Sequence, residues 1–294
     1  MSAYPAWSTY SPKDLHGQYI VREQVPDFRS FLDRWRDTSK PVRAEFSDHL
    51  DIRFGDHPAE TLDVLLPKTW APGTPVQVLF HGGYWRALHK DEYAFVALPG
   101  LRAGIGAVIV NYELCPNVSM AELVAQCQRG FAWTVRNIAQ FGGDPGNLYL
   151  SGHSAGGHLV GSMLQTDWKT FGLGDFAIRG ACALSGLFDL TPIPSVANLQ
   201  DDIHLTPEEV TALSPMVHPI ANVVPLVLAN GALETTEFHR QTAEYADYAR
   251  SSGAIVDFHD VEGRHHYSVV DALADADHPL CHAWHRAVLG GSIG

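Results

Sequence analysis

Ser154 lies in the run Gly152-His153-Ser154-Ala155-Gly156. A strand-like segment, Asn147-Leu148-Tyr149-Leu150-Ser151, leads into it, and a helix-forming stretch beginning Gly157-His158-Leu159-Val160 follows at once. Gly-x-Ser-x-Gly between a strand and a helix is the sequence form of a tight turn that exposes a serine hydroxyl. The chemistry it implies is attack of an activated serine on an acyl carbon. In a glycine-rich chain the pentapeptide alone is weak, so the weight falls on the groups that such a serine requires.

Those groups are oxyanion donors, a base and a carboxylate. Upstream, Val76-Gln77-Val78-Leu79-Phe80 reads as a strand running into His81-Gly82-Gly83-Tyr84-Trp85. Glycines there let the chain turn back and aim amides at a developing oxyanion. The expected donors are the backbone N–H groups of Gly83, Tyr84 and Ala155. Downstream, Val223 to Ala229 reads as a strand ending in Asn230-Gly231-Ala232-Leu233-Glu234, which leaves a carboxylate just past a strand end. After Ala254-Ile255-Val256-Asp257-Phe258 comes Glu262-Gly263-Arg264-His265-His266-Tyr267. The doubled histidine leaves the base open between His265 and His266. Asp189, in Ser185-Gly186-Leu187-Phe188-Asp189-Leu190, is a second candidate acid, one element earlier than Glu234. Nucleophile, acid and histidine in this order, each at a strand end, form the pattern of α/β-hydrolases.

At this depth the chain resembles the arylformamidase (kynurenine formamidase) branch of that superfamily. The resemblance rests on His81-Gly82-Gly83-Tyr84-Trp85, on Gly143-Asp144-Pro145 leading to Ser151 through Leu159, and on Glu237-Phe238-His239-Arg240-Gln241. Leu15-His16-Gly17-Gln18-Tyr19 adds an N-terminal signature, so it spans about Leu15 to Leu280. It implies hydrolysis of an N-formyl arylamide, N-formylkynurenine above all, with release of formate. Aligning Gly263, Tyr267 and Val269 with the family places the base at His266. Two positions depart from the pattern: Glu234 stands where aspartate is more usual, and His265 where a smaller polar residue is expected. A short-chain carboxylesterase using the same groups is the alternative, and a non-catalytic binding protein on the same fold a remote one.

The elements that must position these residues follow from hydrophobic periodicity. Strands are expected at 45–53, 60–66, 76–81, 107–112, 180–185, 224–230 and 255–261, with the elbow strand before Ser154 and a long helix from Ser119 to Gln140. Strands alternating with helices predict one α/β-hydrolase domain over 1–294, with a mainly parallel sheet covered on both faces. Residues 1–42 form a helical preface. In it Phe28, Phe31, Leu32 and Trp35 share one helix face, with Asp27 as N-cap. Residues 192–219 form an inserted cap segment, with a short helix capped by Thr206 and opened by Pro207. As a cap on the site the preface would bring Tyr19 near the substrate; otherwise its helix only packs. Trp85 and Tyr84 are candidate walls for an aromatic leaving group, or core packing. His153 and His265 are candidate pocket residues, and Arg86, Lys90, Arg264 and His265 candidate contacts for a substrate carboxylate.

Composition narrows the partners. A net charge of −13 over 294 residues argues against nucleic acid, which needs clustered Lys and Arg. The four cysteines, Cys115, Cys127, Cys182 and Cys281, are widely spaced and read as free thiols in a reducing compartment. The N-terminal residues lack a signal core and no run reaches membrane-spanning length, so a cytoplasmic location is expected. The partner expected is a small arylamide or ester; a homodimer stays open. His278, His282 and His285 share a helix face beside Cys281, but lack a carboxylate or a second-element ligand; no metal and no cofactor are expected.

Overall fold

Side chains alternate between two cores along every central strand of the computed structural model, which describes Tyr4, residues 6–68 and residues 71–290. The expected domain limits at residues 1 and 294 lie outside the described residues. Val76, Val78 and Phe80 enter one core and Leu79 the other; Leu148 and Leu150 oppose Tyr149, and Leu226 and Leu228 oppose Val227 and Ala229. Both faces of the sheet are therefore dry, which period-two burial of apolar residues on both parities requires.

In chain order the preface supplies α1 (Pro12–Tyr19) and α2 (Phe28–Glu45). Next come β1 (Ile52–Arg53), β2 (Thr61–Leu65), β3 (Thr74–Phe80), α3 (Ala94–Arg102), β4 (Gly106–Val110) and α4 (Met120–Asn137). β5 (Gly143–His153), α5 (Ala155–Gln165) and β6 (Ile178–Leu184) follow, then the short helices α6 (Ala197–Ile203) and α7 (Pro207–Leu213). The chain ends with β7 (Leu226–Gly231), α8 (Thr236–Ser251), β8 (Val256–Val261), α9 (Val269–Ala274) and α10 (Pro279–Val288). The sheet order is β1-β2-β4-β3-β5-β6-β7-β8. β2 runs antiparallel to β1 and β4, and the other pairs are parallel. The parallel strands thus all end at one edge, where the loops carrying Gly83, Ser154, Glu234 and His266 gather.

Local chemistry accounts for several helix starts. Ser119 caps α4 through the N–H of Glu122, and Thr206 with Glu209 closes a capping box on α7, with Pro207 at its first position. Two expectations fail. The strand expected at 45–53 is reduced to Ile52–Arg53, because α2 continues through Pro41 to Glu45 and a short 3-10 turn follows. The reason is tertiary: Trp35, Ser39 and Val42 form a buried helical stripe, and Ser39 Oγ accepts the N–H of Phe95 at 3.1 Å. Asp27 precedes α2, but its side chain makes no capping hydrogen bond, and its backbone sits at φ −94°, ψ 18°. Among the described residues no helix is long and apolar enough to cross a membrane.

His81, just past β3, and His158, in α5, are both fully buried. Burial holds the His81 imidazole down to about 3 and that of His158 down to about 4. In the unfolded chain each returns to about 6.5. The unfolded state therefore binds more protons below that value, and stability falls as pH drops from about 6.5 toward the folded-state values. Urea unfolding at pH 7.5 and pH 5 is expected to show about 2 kcal/mol lost per histidine. Replacing His158 by an uncharged residue removes its share of that pH dependence.

Candidate active site

Strand β5 delivers Ser154 at φ 58°, ψ −119°, a left-handed conformation that costs energy for a residue with a Cβ. Close packing on both sides holds it there. A Cβ on Gly156 would lie 2.1 Å from the carbonyl oxygen of Phe80, so only glycine lets the start of α5 lie against the end of β3. The Ser154 N–H donates to the carbonyl of Leu184 at 2.8 Å, which ties the turn to β6 on the other side.

His266 and Glu234 complete a chain of hydrogen bonds with this serine. His266 Nε2 lies 3.0 Å from Ser154 Oγ, and His266 Nδ1 lies 2.8 Å from Glu234 Oε2. Ser154, His266 and the Glu234 carboxylate are all nearly inaccessible to water. The imidazole packs against Phe238, with ring centroids 4.5 Å apart. The acid sits in a tight turn, in which the Glu234 N–H bonds back to the Gly231 carbonyl at 2.9 Å. The Leu233 N–H then reaches the Arg264 carbonyl at 2.9 Å and ties the acid loop to the histidine loop. Asp189 is not at the imidazole. Its carboxylate pairs with Arg240 at 3.1 Å and accepts from Thr191.

The histidine doublet divides into two roles. His265 accepts the N–H groups of Tyr267 and Ser268 on Nδ1, at 3.2 and 3.3 Å, and its carbonyl accepts the Val269 N–H at the start of α9. It thus shapes the turn that aims its neighbour. Its ring meets Phe31 edge-on at 4.9 Å, and burial draws its pKa down while Asp27 acts in the opposite direction. His265 also lines a cavity of about 250 Å³ with Asp27, Gln24, Glu234 and His266.

The loop after β3 carries Gly83 at φ 111°, followed by Tyr84 and Trp85 at φ 51° and 57°. At Gly83 a Cβ would fall 2.0 Å from the Ala87 carbonyl oxygen, so no other residue fits that turn. Three tethers hold the two strained residues. The Tyr84 hydroxyl donates to the Tyr19 carbonyl at 2.5 Å, the Trp85 carbonyl accepts the Cys115 N–H at 2.8 Å, and Trp85 Nε1 donates to His158 Nδ1 at 3.2 Å. Among the described residues nothing accepts the N–H of Gly83, Tyr84 or Ala155. Ala155 opens α5, where the helix dipole adds partial positive charge. Such an arrangement can hold a developing oxyanion.

A second cavity, of about 150 Å³, adjoins this loop. Phe28, Leu32, Tyr84, Leu88 and Tyr267 give it an apolar, aromatic wall, with Gly83 and Arg86 at its edge. Tyr84 is among the residues that line this cavity. Trp85 is not: its indole is fully buried and makes core contacts, because its hydrogen bond to His158 needs the ring turned inward. Tyr19 is likewise buried, its phenol donating to Glu237 at 2.6 Å, so it reaches the site only through its carbonyl. Burial, with the Glu237 carboxylate, raises that phenol's pKa well above its ordinary value. His153 is a buried brace that donates from Nε2 to the His266 carbonyl at 2.9 Å and accepts from the Tyr93 hydroxyl at 3.2 Å. Of the expected carboxylate contacts, Lys90 is fully enclosed by Asp51, Asp63 and Asp91, and Arg86 is paired with Asp202 and Asn198. Arg264 contributes its carbonyl to the acid loop. His278 caps α10 through the Leu280 N–H, and among the described residues no group of three ligating side chains could hold a metal ion.

Two residues that touch this machinery were not picked out from the sequence: Ser185, whose hydroxyl reaches Glu234, and Tyr93, which holds His153. A lone serine after a strand and a lone tyrosine in a loop carry no spacing signal; only the fold brings them in.

Residues 77–270 match the alpha/beta hydrolase fold family. The chain is 31% identical over 278 residues to a kynurenine formamidase of Danio rerio, covering 93% of this chain and 90% of that protein. It is also 31% identical over 267 residues to a kynurenine formamidase of Salmo salar, covering 89% and 86%. Among solved structures it resembles a putative thioesterase from a Silicibacter species, with a TM-score of 0.73, 27% identity, and 86% of this chain and 91% of that one covered. With this sequence coverage and this sheet, the chain is a hydrolase that belongs to the arylformamidase-like branch of the α/β-hydrolase superfamily.

Proposed function

We propose that the chain hydrolyses N-formyl arylamides, with N-formylkynurenine as the expected substrate, through Ser154, His266 and Glu234. The observation that carries this reading is the buried Ser154–His266–Glu234 hydrogen-bond chain, together with a small aromatic-walled cavity against the Gly83–Tyr84 loop. Its likeness over nine-tenths of its length to a kynurenine formamidase supports the choice of acyl group.

In the proposed reaction His266 Nε2 takes the Ser154 proton as Oγ attacks the formyl carbon. The tetrahedral oxyanion is held by the N–H groups of Ala155, Gly83 and Tyr84, with each donor worth about 10²–10³ in rate. Glu234 fixes the imidazole tautomer and stabilises its positive charge. The C–N bond then breaks as the imidazolium returns its proton to the aryl nitrogen, releasing the arylamine. Water, deprotonated by His266, attacks the formyl ester on Ser154, and formate leaves as Oγ regains its proton. An aryl nitrogen leaves more readily than an alkyl one because its lone pair is shared with the ring. The formyl group needs little room.

Ester hydrolysis is the second reading, favoured by the likeness to a putative thioesterase. Steady-state turnover of N-formyl-L-kynurenine beside p-nitrophenyl acetate and butyrate separates the two. The expected kcat/KM for the formamide is about 10⁴ M⁻¹s⁻¹ or more. Ser154→Ala should remove it, and Glu234→Gln should lower it about 10³–10⁴-fold. Ester cleavage dependent on Ser154, without formamide turnover, would retain the triad and overturn the substrate.

Tyr84→Phe deletes only the tether to the Tyr19 carbonyl. Rapid kinetics should show kcat lowered about tenfold with KM within about twofold, because the loss falls on the oxyanion loop. An unchanged kcat would mean that the other two tethers suffice.

A further inference from the structure

We propose that Ser185 is a positioning residue for the triad carboxylate, a fourth side chain in the hydrogen-bond chain that ends on Ser154; this rests on the reading of Glu234 as the acid. Ser185 follows the last residue of β6 and is fully buried. Its hydroxyl donates to Glu234 Oε1 at 2.5 Å, and the Gly231 N–H donates to the same oxygen at 2.7 Å. Oε2 is thereby left to face His266 Nδ1. Without those two donors a glutamate side chain, with one more rotatable bond than aspartate, could turn its carboxylate away from the imidazole.

The backbone supports the same reading. Ser185 sits at φ 49°, where a residue with a Cβ is uncommon and glycine would be at ease. Its N–H donates to the Ala229 carbonyl at 2.7 Å, which fixes the conformation against β7. The preceding residue, Leu184, supplies the carbonyl that holds the Ser154 N–H. The end of β6 therefore grips the nucleophile with one residue and the acid with the next. A strained serine at this position is accounted for by what its hydroxyl does: a hydrogen bond to a buried carboxylate is among the stronger ones, and leaving that oxygen short of a donor is costly.

Ser185→Ala and Ser185→Gly, assayed on p-nitrophenyl acetate and N-formyl-L-kynurenine, test the assignment. Both should lower kcat about tenfold to a hundredfold with KM within about twofold. The glycine variant relieves the backbone strain and carries the test if the alanine variant folds poorly. In a Glu234→Ala background, Ser185→Ala should cost less than about threefold more, because the group it positions is gone. Wild-type kcat in Ser185→Gly would overturn the proposal, leaving only a backbone role. Full multiplication of the two losses in the double variant would also overturn it, since Ser185 would then act elsewhere. Near-wild-type kcat in Glu234→Ala would instead overturn Glu234 as the acid, and with it this role for Ser185.

Discussion

The close approach of α5 to the end of β3 is the constraint on which the site depends. Ser154 can hold φ 58° only while the flanking chain cannot relax, and the contact between Gly156 and the Phe80 carbonyl leaves it no room to do so. The same contact places the strand end that leads into Gly82 and Gly83 beside the serine. A Cβ on Gly82 would fall 2.9 Å from the His153 carbonyl oxygen, so the two loops touch backbone to backbone. One packing event thus fixes the backbone of Ser154 and sets the neighbouring glycine loop against the residue before it. Strain of this kind, a few kcal/mol at most, persists where the surrounding structure over-determines it.

Polar groups around that point are arranged for a dry interior. His153 and His158 each donate from Nε2 to a carbonyl and accept on Nδ1 from a tyrosine or tryptophan. That pattern suits the neutral imidazole, and burial enforces it. Neither ring lies in the hydrogen-bond chain from Ser154 through His266 to Glu234. Lys90 shows the opposite solution. Burial alone would strip its charge, but Asp51 and Asp63 at 2.6 Å and Asp91 at 2.9 Å hold the ammonium charged. Arg43 of α2 joins the same cluster through Asp63 and Asp91. A buried network of this kind adds little net stability, but it fixes which elements meet. Here α2, β2 and the segment after the Gly82–Trp85 loop are locked together.

What the sequence made legible follows from how local each signal is. Period-two burial and the Gly-x-Ser-x-Gly turn are written within a few residues, and the elbow and the strands from 60–66 onward form where expected. The order of Glu234 and His266 at successive strand ends was also readable, since the sheet sets it. The stretch at 45–53 forms no full strand because α2 is held by tertiary contacts such as that of Ser39 with Phe95, 56 residues away. Trp85 and Tyr19 stay open in the sequence for a related reason: an aromatic residue in a loop motif can turn either way, and its hydrogen-bond partner decides. Those partners, His158 and Glu237, are 73 and 218 residues distant. Ser185 had no local signature at all.

The preface belongs to the site wall. Val21 borders both cavities, Phe28 and Leu32 form the apolar side of one, and Gln24 and Asp27 border the other. Its first helix is pinned where the Tyr19 phenol meets Glu237 and the Tyr19 carbonyl meets Tyr84. Its second is pinned where Trp35 packs on Tyr93, which itself holds His153. The segment between these anchors therefore borders the cavities that adjoin His266 and the Gly83–Tyr84 loop, while Ser154 itself is only 2% exposed. With a net charge of −13 the molecule has no long-range pull on an anionic substrate, so selection falls to contacts at short range. In such a water-poor setting each hydrogen bond around Ser154 is worth more than it would be in an open cleft. Residues distant in sequence, in the preface and at the end of β6, thereby pack around the loops that hold the serine.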